Sequence, residues 1–338
     1  QPTYWQKYDQ VFKRFSYKNI YEIIHGLAMK LGEPFAKQGM RGPKLKLPAT
    51  TYASFIVFEI ITGDAHFRDM EQDAELFVIK HIDHSTFQRN FEKIPYEYLQ
   101  QLLQACAALL ESLLGTAAAY IPDSTVITTR HYHDIMYKGE MRRAKKTYKS
   151  HALVGYYPDR GVIYVKTAEG TDHHVSDSAG AVSMLREYDL GWAYLPADRG
   201  YDYEMVYRAA EEAGLTSIIK KQDRPNGKKS KYRKRSMYRE TLYRALRHLV
   251  ENNFGGLEHR GMLTTSIRKA ENVAKYGVII HLRQTLFAYL RQTVFSLFQL
   301  IMRQTPKFHK AFIPVFKQGF NAIKEIHTIS KTASLQIR

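Results

Sequence analysis

The chain has 338 residues, enough for one large domain or two modest ones, and its 44% hydrophobic and 25% charged residues are those of a globular protein. Fifty Lys and Arg against 33 Asp and Glu give a formal charge of +17, which points to a polyanionic partner, most simply nucleic acid, with a solubility role as the alternative. A single cysteine, Cys106, excludes an intrachain disulfide or a Cys-based zinc site and suits a buried structural thiol.

The chain opens at Gln1, which raises the expectation that residues precede it, and no signal peptide is visible. Residues 1–115 read as helical, because Tyr52–Ile61 and Tyr98–Leu114 repeat apolar residues at mixed spacings of three and four. Asp64, Asp69, Asp73 and Asp83 fall near expected helix starts, where acids cap free amides and meet the dipole favourably. Before the first strong helix, residues 41–46 (Arg-Gly-Pro-Lys-Leu-Lys) form a basic loop with two helix breakers.

The texture changes at Tyr120. Ile121–Thr128, His151–Tyr157, Val162–Thr167, Trp192–Pro196 and Leu215–Ile219 are short, rich in β-branched and aromatic residues, and bounded by Pro, Asp and Gly. Pro158-Asp159-Arg160-Gly161 reads as a hairpin turn between two of them. Helical patterns cover Ala179–Tyr188 and Tyr203–Ala213, the second with Asp202 as its natural N-cap and Gly214 at its end. Three strands followed by alternating helices and strands predict a mixed α/β sheet, antiparallel first and crossover-linked later. The segment 220–239 is a Lys- and Arg-rich run, either a solvated loop or a phosphate-binding one. Val273–Met302 is apolar but interrupted by Lys275, His281, Arg283 and Arg291, too often for a membrane span, and reads as an amphipathic helix or helix pair.

Three acids stand out in this frame. Asp123 lies on the first strand, Asp198 ends the fourth, and Glu251 lies on the helix after the fifth. Active sites of open α/β sheets collect at the carboxyl ends of strands. A carboxylate in an apolar stretch is costly unless it is paired or bound to a cation. The bland alternatives are a strand-end turn acid for Asp123, an N-cap for Asp198 and a solvated helix acid for Glu251. His131-Tyr132-His133-Asp134 and Asp172-His173-His174 lack metal-ligand spacing and read as surface or DNA-facing groups.

The motifs around those acids carry a resemblance. Asp-Ser-Thr-Val-Ile at 123–127, Ala-Asp-Arg-Gly-Tyr-Asp at 197–202, and Arg247-x-x-x-Glu251 followed by Phe254-Gly-x-Leu257 resemble the insertion-sequence transposases of the DDE type, families numbered four and five. Lys149-Ser150-His151-Ala152-Leu153-Val154, His174-x-x-Asp177, Arg41-Gly42-Pro43, Asp69-Met70-Glu71 and Ser85-Thr86-Phe87 support it. In the family's third motif a Tyr stands three residues ahead of the Arg and a Lys seven beyond the Glu. Here Tyr243 is one place early and Glu258 holds the Lys position, with His259 or Arg260 nearby to take over its phosphate contact.

The resemblance implies a ribonuclease-H-like mixed α/β sheet with flanking helices, preceded by an all-α region and followed by C-terminal helices. It implies residues 1–115 as a DNA-end-binding region, 116–260 as the catalytic core and 261–338 as a helical region of unassigned role. Asp123, Asp198 and Glu251 are the implied catalytic acids and ligands of two magnesium ions, with manganese able to substitute; Asp123 would bridge both. Expected DNA contacts are Arg41, Lys44, Lys46, Arg142, Arg143, Lys145, Lys146, Lys149, Lys228, Lys229, Lys231, Arg233, Lys234, Arg235, Arg247 and Arg260. The implied partner is double-stranded DNA, bound as a homodimer without a membrane, in the nucleoid-associated cytoplasm of a prokaryote. A transposase-derived DNA-binding protein without cleavage activity and a plain metal-dependent nuclease are the competing readings.

Overall fold

The computed structural model describes residues 17–36, 45–63, 66–222 and 230–304, with side chains to residue 293. Contacts divide the chain into Gln1–Ala288 and Tyr289–Arg338, and the site lies in the first unit. That unit opens with α1 (Tyr17–Leu31), α2 (Ala49–Thr62), α3 (Phe67–Phe77), α4 (His84–Lys93) and α5 (Tyr96–Leu114). Helix α2 is buried nearly all round, as its run of aromatic and branched residues requires. Asp83 caps α4, accepting from the Ser85 amide, and Asp69 lies in the first turn of α3. Asp73 sits inside α3, and Asp64 lies outside the described residues.

The sheet follows as β1 (Ala119–Tyr137), β2 (Glu140–Tyr157), β3 (Val162–Asp172), β4 (Ala193–Ala197), β5 (Leu215–Ile219) and β6 (Thr264–Thr265). Its order is β3-β2-β1-β4-β5, with β6 pairing to β1 at Thr128 and Thr129. The β3-β2-β1 ladder is antiparallel, while β1-β4 and β4-β5 are parallel. Helices α6 (Asp177–Arg186), α7 (Glu204–Glu212), α8 (Lys231–Arg235), α9 (Glu240–His259) and α10 (Ala270–Gln304) complete the description. This is the mixed α/β sheet that the strand pattern implies, consistent with the ribonuclease-H-like fold that the family resemblance implies.

Two strands run well past their expected ends. Lys138 and Gly139, with φ of 52° and 82°, form the two-residue turn that joins β1 and β2 into a long hairpin. Its outer part is exposed on both faces, so its residues carry none of the alternation that reveals a half-buried strand. Helix α7 also differs from expectation. Tyr203 is its N-cap, and the Asp202 carboxylate is instead buried among other donors described below.

The N-terminal helices share the core of the sheet. On α5, Glu111 accepts from Tyr164 (2.6 Å) and Lys166 (2.7 Å) of β3, and the Tyr96 hydroxyl accepts from the Gly170 amide (2.9 Å). The C-terminal apolar stretch forms the single helix α10, which closes on the sheet so tightly at Gly170 that a Cβ there would lie 2.2 Å from the Ala274 carbonyl. Two of the charges that interrupt it, Lys275 and Arg283, are buried against backbone carbonyls. Lys275 donates to Phe91 and Glu92, and Arg283 to Ile61. His281 contacts the Ser150 hydroxyl at 2.9 Å, and burial pushes its pKa down to about 3, so the ring is neutral.

Candidate functional site

The β1–β4 ladder sets the site. Ala119 pairs with Tyr194 in parallel register, so four residues further along each strand Asp123 and Asp198 stand level, one inside β1 and one just past β4. Helix α9 packs across both strands and delivers Arg247 to them. Its guanidinium lies 2.9 Å from the Asp123 carboxylate and 3.9 Å from that of Asp198. The contact to Asp123 is an ion pair without hydrogen-bond alignment. Asp198 also accepts from the Gly200 amide at 2.7 Å, stabilising the short turn Arg199–Tyr201.

Burial raises the Asp123 carboxyl above its usual range; Arg247 opposes that shift and Asp198 adds to it. Tyr201 lies beside the same charges, and burial together with Asp123, Asp177 and Asp198 holds its hydroxyl protonated. The oxygen donors here suit a hard divalent cation. Burial disfavours the ionised form of the Asp123 carboxyl and Arg247 restores it only in part, so a further cation there would be favoured. Glu251 lies one turn beyond Arg247 on α9, exposed, and Glu258 is exposed two turns further. Among the described residues, three ligand atoms come within 4.8 Å of one another at Glu71, Asp83 and His84, and the three acids form no such group. The structure thus brings Asp123, Asp198 and Arg247 together, while Glu251 stands exposed one turn beyond Arg247.

A second network adjoins the first. Asp177, in the first turn of α6, accepts from Ser124 (2.7 Å) and Lys149 (3.0 Å), and Lys149 also donates to the Val175 carbonyl. Burial opposes ionisation of Asp177, but Ser124 and Lys149 outweigh it and lower its pKa. His151 lies 3.9 Å from the same carboxylate, and burial holds its pKa at about 4. The motif His174-x-x-Asp177 marked this acid in the sequence, yet nothing there revealed its partners.

The expected cations divide. Lys46, Lys145, Lys231, Lys234 and Arg260 are exposed; Lys146 lies over the Tyr148 ring and Arg235 pairs with Glu211. Arg142 and Arg143 lie on the outer hairpin. Arg233 faces inward, its guanidinium gripping Asp202 at 2.8 and 2.6 Å. Arg41, Lys44, Lys228 and Lys229 lie outside the described residues.

Residues 116–282 match the family model of the transposase DDE domain. The chain carries a transposase DDE domain. Its match spans β1 to β6 and the start of α10, so it contains all three acids and Arg247. Transposases of this family cleave DNA and transfer strands in divalent-metal-dependent reactions. DNA is accordingly the substrate, and no described helix is long and apolar enough to cross a membrane. No curated protein matches the chain.

Proposed function

We propose that Asp123, Asp198 and Glu251 hold the metal ions with which this transposase domain cuts the ends of its element and joins the freed 3′-hydroxyl to target DNA. The observation that supports this reading is the level placement of Asp123 and Asp198 on adjacent parallel strands, with one arginine bridging the two. Magnesium is the ion that carboxylates, waters and phosphates favour, with manganese as a substitute. When bound, it would lower the pKa of the attacking hydroxyl and stabilise charge on the departing oxygen.

The chain's own residues do the rest. Arg247 keeps two adjacent carboxylates from repelling each other, and its looser 3.9 Å contact to Asp198 is the one that gives way to a ligand or phosphate. Glu251, exposed on the same helix one turn beyond Arg247, completes the site. Ser124 and Lys149 hold Asp177 ionised beside this centre, fixing the strand that carries Asp123. The catalytic region extends beyond residue 260, since β6 and α10 pack on the sheet. The N-terminal helices recognise element ends, and the protein acts as a homodimer on DNA in a prokaryotic nucleoid. Lys46, Lys145, Lys146, Lys231, Lys234, Arg235 and Arg260 contact phosphates. Arg233 leaves that set because Asp202 occupies it.

The test is magnesium-dependent cleavage and strand transfer on DNA carrying the element's ends. Asp123→Ala, Asp198→Ala and Glu251→Gln should each abolish both steps while the protein stays folded. Wild-type activity in any one would remove that residue. A dead Glu258→Gln beside an active Glu251→Gln would move the third ligand one heptad along α9. The second reading, a DNA-binding protein without cleavage, draws on the exposed position of Glu251 outside any three-ligand group. It predicts DNA binding with no cleavage at any magnesium or manganese concentration.

A further inference from the structure

Beyond Thr129 the β1–β2 hairpin leaves the sheet. The sheet ends where β6 pairs with Thr128 and Thr129, and His131 bonds the Ser266 carbonyl at 2.8 Å, bracing the hairpin's base. From Tyr132 paired with Lys145 to Tyr137 paired with Glu140 there are six further cross-strand pairs. At the usual rise this ribbon is about 20 Å long. Every residue from Tyr132 to Arg143 is exposed except Ile135, including Tyr132, Met136, Tyr137 and Met141. A lone two-stranded ribbon is marginal in water, and exposed apolar side chains on a free strand pair invite association. A ribbon with both faces open therefore needs a partner.

The charge says which partner. Residues 130–146 hold six Lys or Arg against two acids. The side chains are also ordered before any partner arrives. Arg143 stacks over the Tyr132 ring at 5.2 Å, and Arg142 over Tyr137 at 5.2 Å. Stacking on a ring leaves the guanidinium edge of Arg143 available, the edge that recognises phosphates or guanine in bidentate fashion, while that of Arg142 donates to Glu140. Pairing register places Tyr132, Asp134 and Met136 on one face with Lys145, Arg143 and Met141. That face combines a stacked arginine with Asp134 across from it, a lysine and an apolar pair, whereas on the opposite face Arg142 donates to Glu140 at 3.0 Å.

We propose that the hairpin tip, residues 132–145, is a DNA-reading ribbon that enters the major groove, with Arg143 contacting a base edge and Met136 and Met141 packing against base methyl groups. The major groove admits a two-stranded β-ribbon, since its width is about 12 Å and paired strands lie about 4.8 Å apart. The ribbon continues the strand that carries Asp123 across a register shift between Thr128 and Tyr132, so groove contact and cleavage site lie on one strand. DNA sequence is thereby read on the same strand that carries Asp123. This inference rests on the reading of the domain as a DNA-cutting enzyme and adds a place where sequence is recognised.

The experiment uses the full chain and a duplex pool with a randomised segment, in buffer with calcium in place of magnesium to prevent cutting. Three proteins are compared: wild type, Arg143→Ala, and a shortened hairpin in which residues 133–144 are replaced by Asn-Gly, a pair that preserves the tight turn. Melting temperature and light scattering check fold and oligomeric state. The wild type should enrich a defined sequence. Arg143→Ala should lose about tenfold in preference at one base pair, as expected for one bidentate contact, with melting unchanged. The shortened hairpin should lose the enrichment, and its log–log salt slope should fall by about 0.9 for each phosphate contact removed. Enrichment and salt slope equal to wild type in both variants would overturn the ribbon's role. Loss of a dimer with DNA selectivity intact would assign the ribbon to a second copy of the chain and overturn it equally. A wild type that binds no duplex at all would instead sink the DNA-cutting reading on which the ribbon depends.

Discussion

Two arginine–aspartate pairs of the same domain behave in opposite ways. Asp202 is fully buried and receives Arg233 at 2.8 and 2.6 Å, the Tyr207 hydroxyl at 2.7 Å and the Gln222 amide at 2.6 Å. Burial would raise its pKa, but hydrogen bonds from Arg233, Gln222 and Tyr207 outweigh burial and hold the carboxyl below its usual range. Asp123 has one arginine, which it shares with Asp198, and burial keeps its carboxyl above the usual range. A complete set of donors marks a structural pair that anchors α8. An incomplete set is what the proposed metal site requires, since a bound cation would supply the missing partner.

Breaking each pair should expose the difference, and the largest effect falls on the structural one. Arg233→Met leaves Asp202 buried without its counter-charge and should cost about 3–5 kcal/mol in denaturant unfolding. Arg247→Met should cost much less, because Asp123 and Asp198 remain partly open to water, and magnesium should recover the loss by binding the folded form. Equal losses in the two variants, or no recovery with magnesium, would erase the distinction.

The pH dependence of the metal-free protein sharpens it. The depressed pKa of Asp202 contributes stability above the ordinary carboxylate range that is lost as pH falls through the folded value. Asp202→Asn should therefore flatten the acid side of the stability profile. The raised pKa of Asp123 has the opposite sign: its ionisation is disfavoured in the fold, so stability is lost as pH rises from the ordinary value through the raised one. Asp123→Asn should raise the melting temperature at neutral pH relative to wild type. A lower melting temperature there would mean that Asp123 is already satisfied.

The smallest effect concerns the cations around Arg233. Neutralising Lys231, Lys234 and Arg235 together should reduce the salt slope of DNA binding by about 0.9 per contact, with stability nearly unchanged. An unchanged slope would make α8 a solvated helix.

How much of this was legible depended on whether the physical reason was local. The strands were readable where one or both faces are buried, as at Ile121, Leu153 and Val165, because burial demands branched apolar residues bounded by turn formers. The motifs drew attention to Asp123, Asp198 and Glu251, and the fold brings the first two together on Arg247. The outer hairpin was not, since a ribbon solvated on both faces places Arg, His and Met without periodicity. Arg233 was hidden inside a run of cations, and only the fold shows that one member turns inward. The buried charges of α10 likewise looked like breaks in an apolar helix, because the carbonyls that receive Lys275 lie 183 and 184 residues away. Asp202 looked like a helix cap for the same reason: its donors come from α7, the end of β5 and α8.

The central claim is that Asp123 and Asp198 form an unfinished site completed by a divalent cation and Glu251. Calorimetric titration of manganese into the full chain, without DNA, tests it most directly. Wild type should bind, and Asp123→Asn, Asp198→Asn and Glu251→Gln should each weaken binding by about tenfold or more, the scale on which losing a metal's supporting groups is felt, while Asp202→Asn should leave it unchanged. Manganese binding that is indifferent to Asp123 and Asp198, or that disappears with Asp202→Asn in a folded protein, would contradict the account.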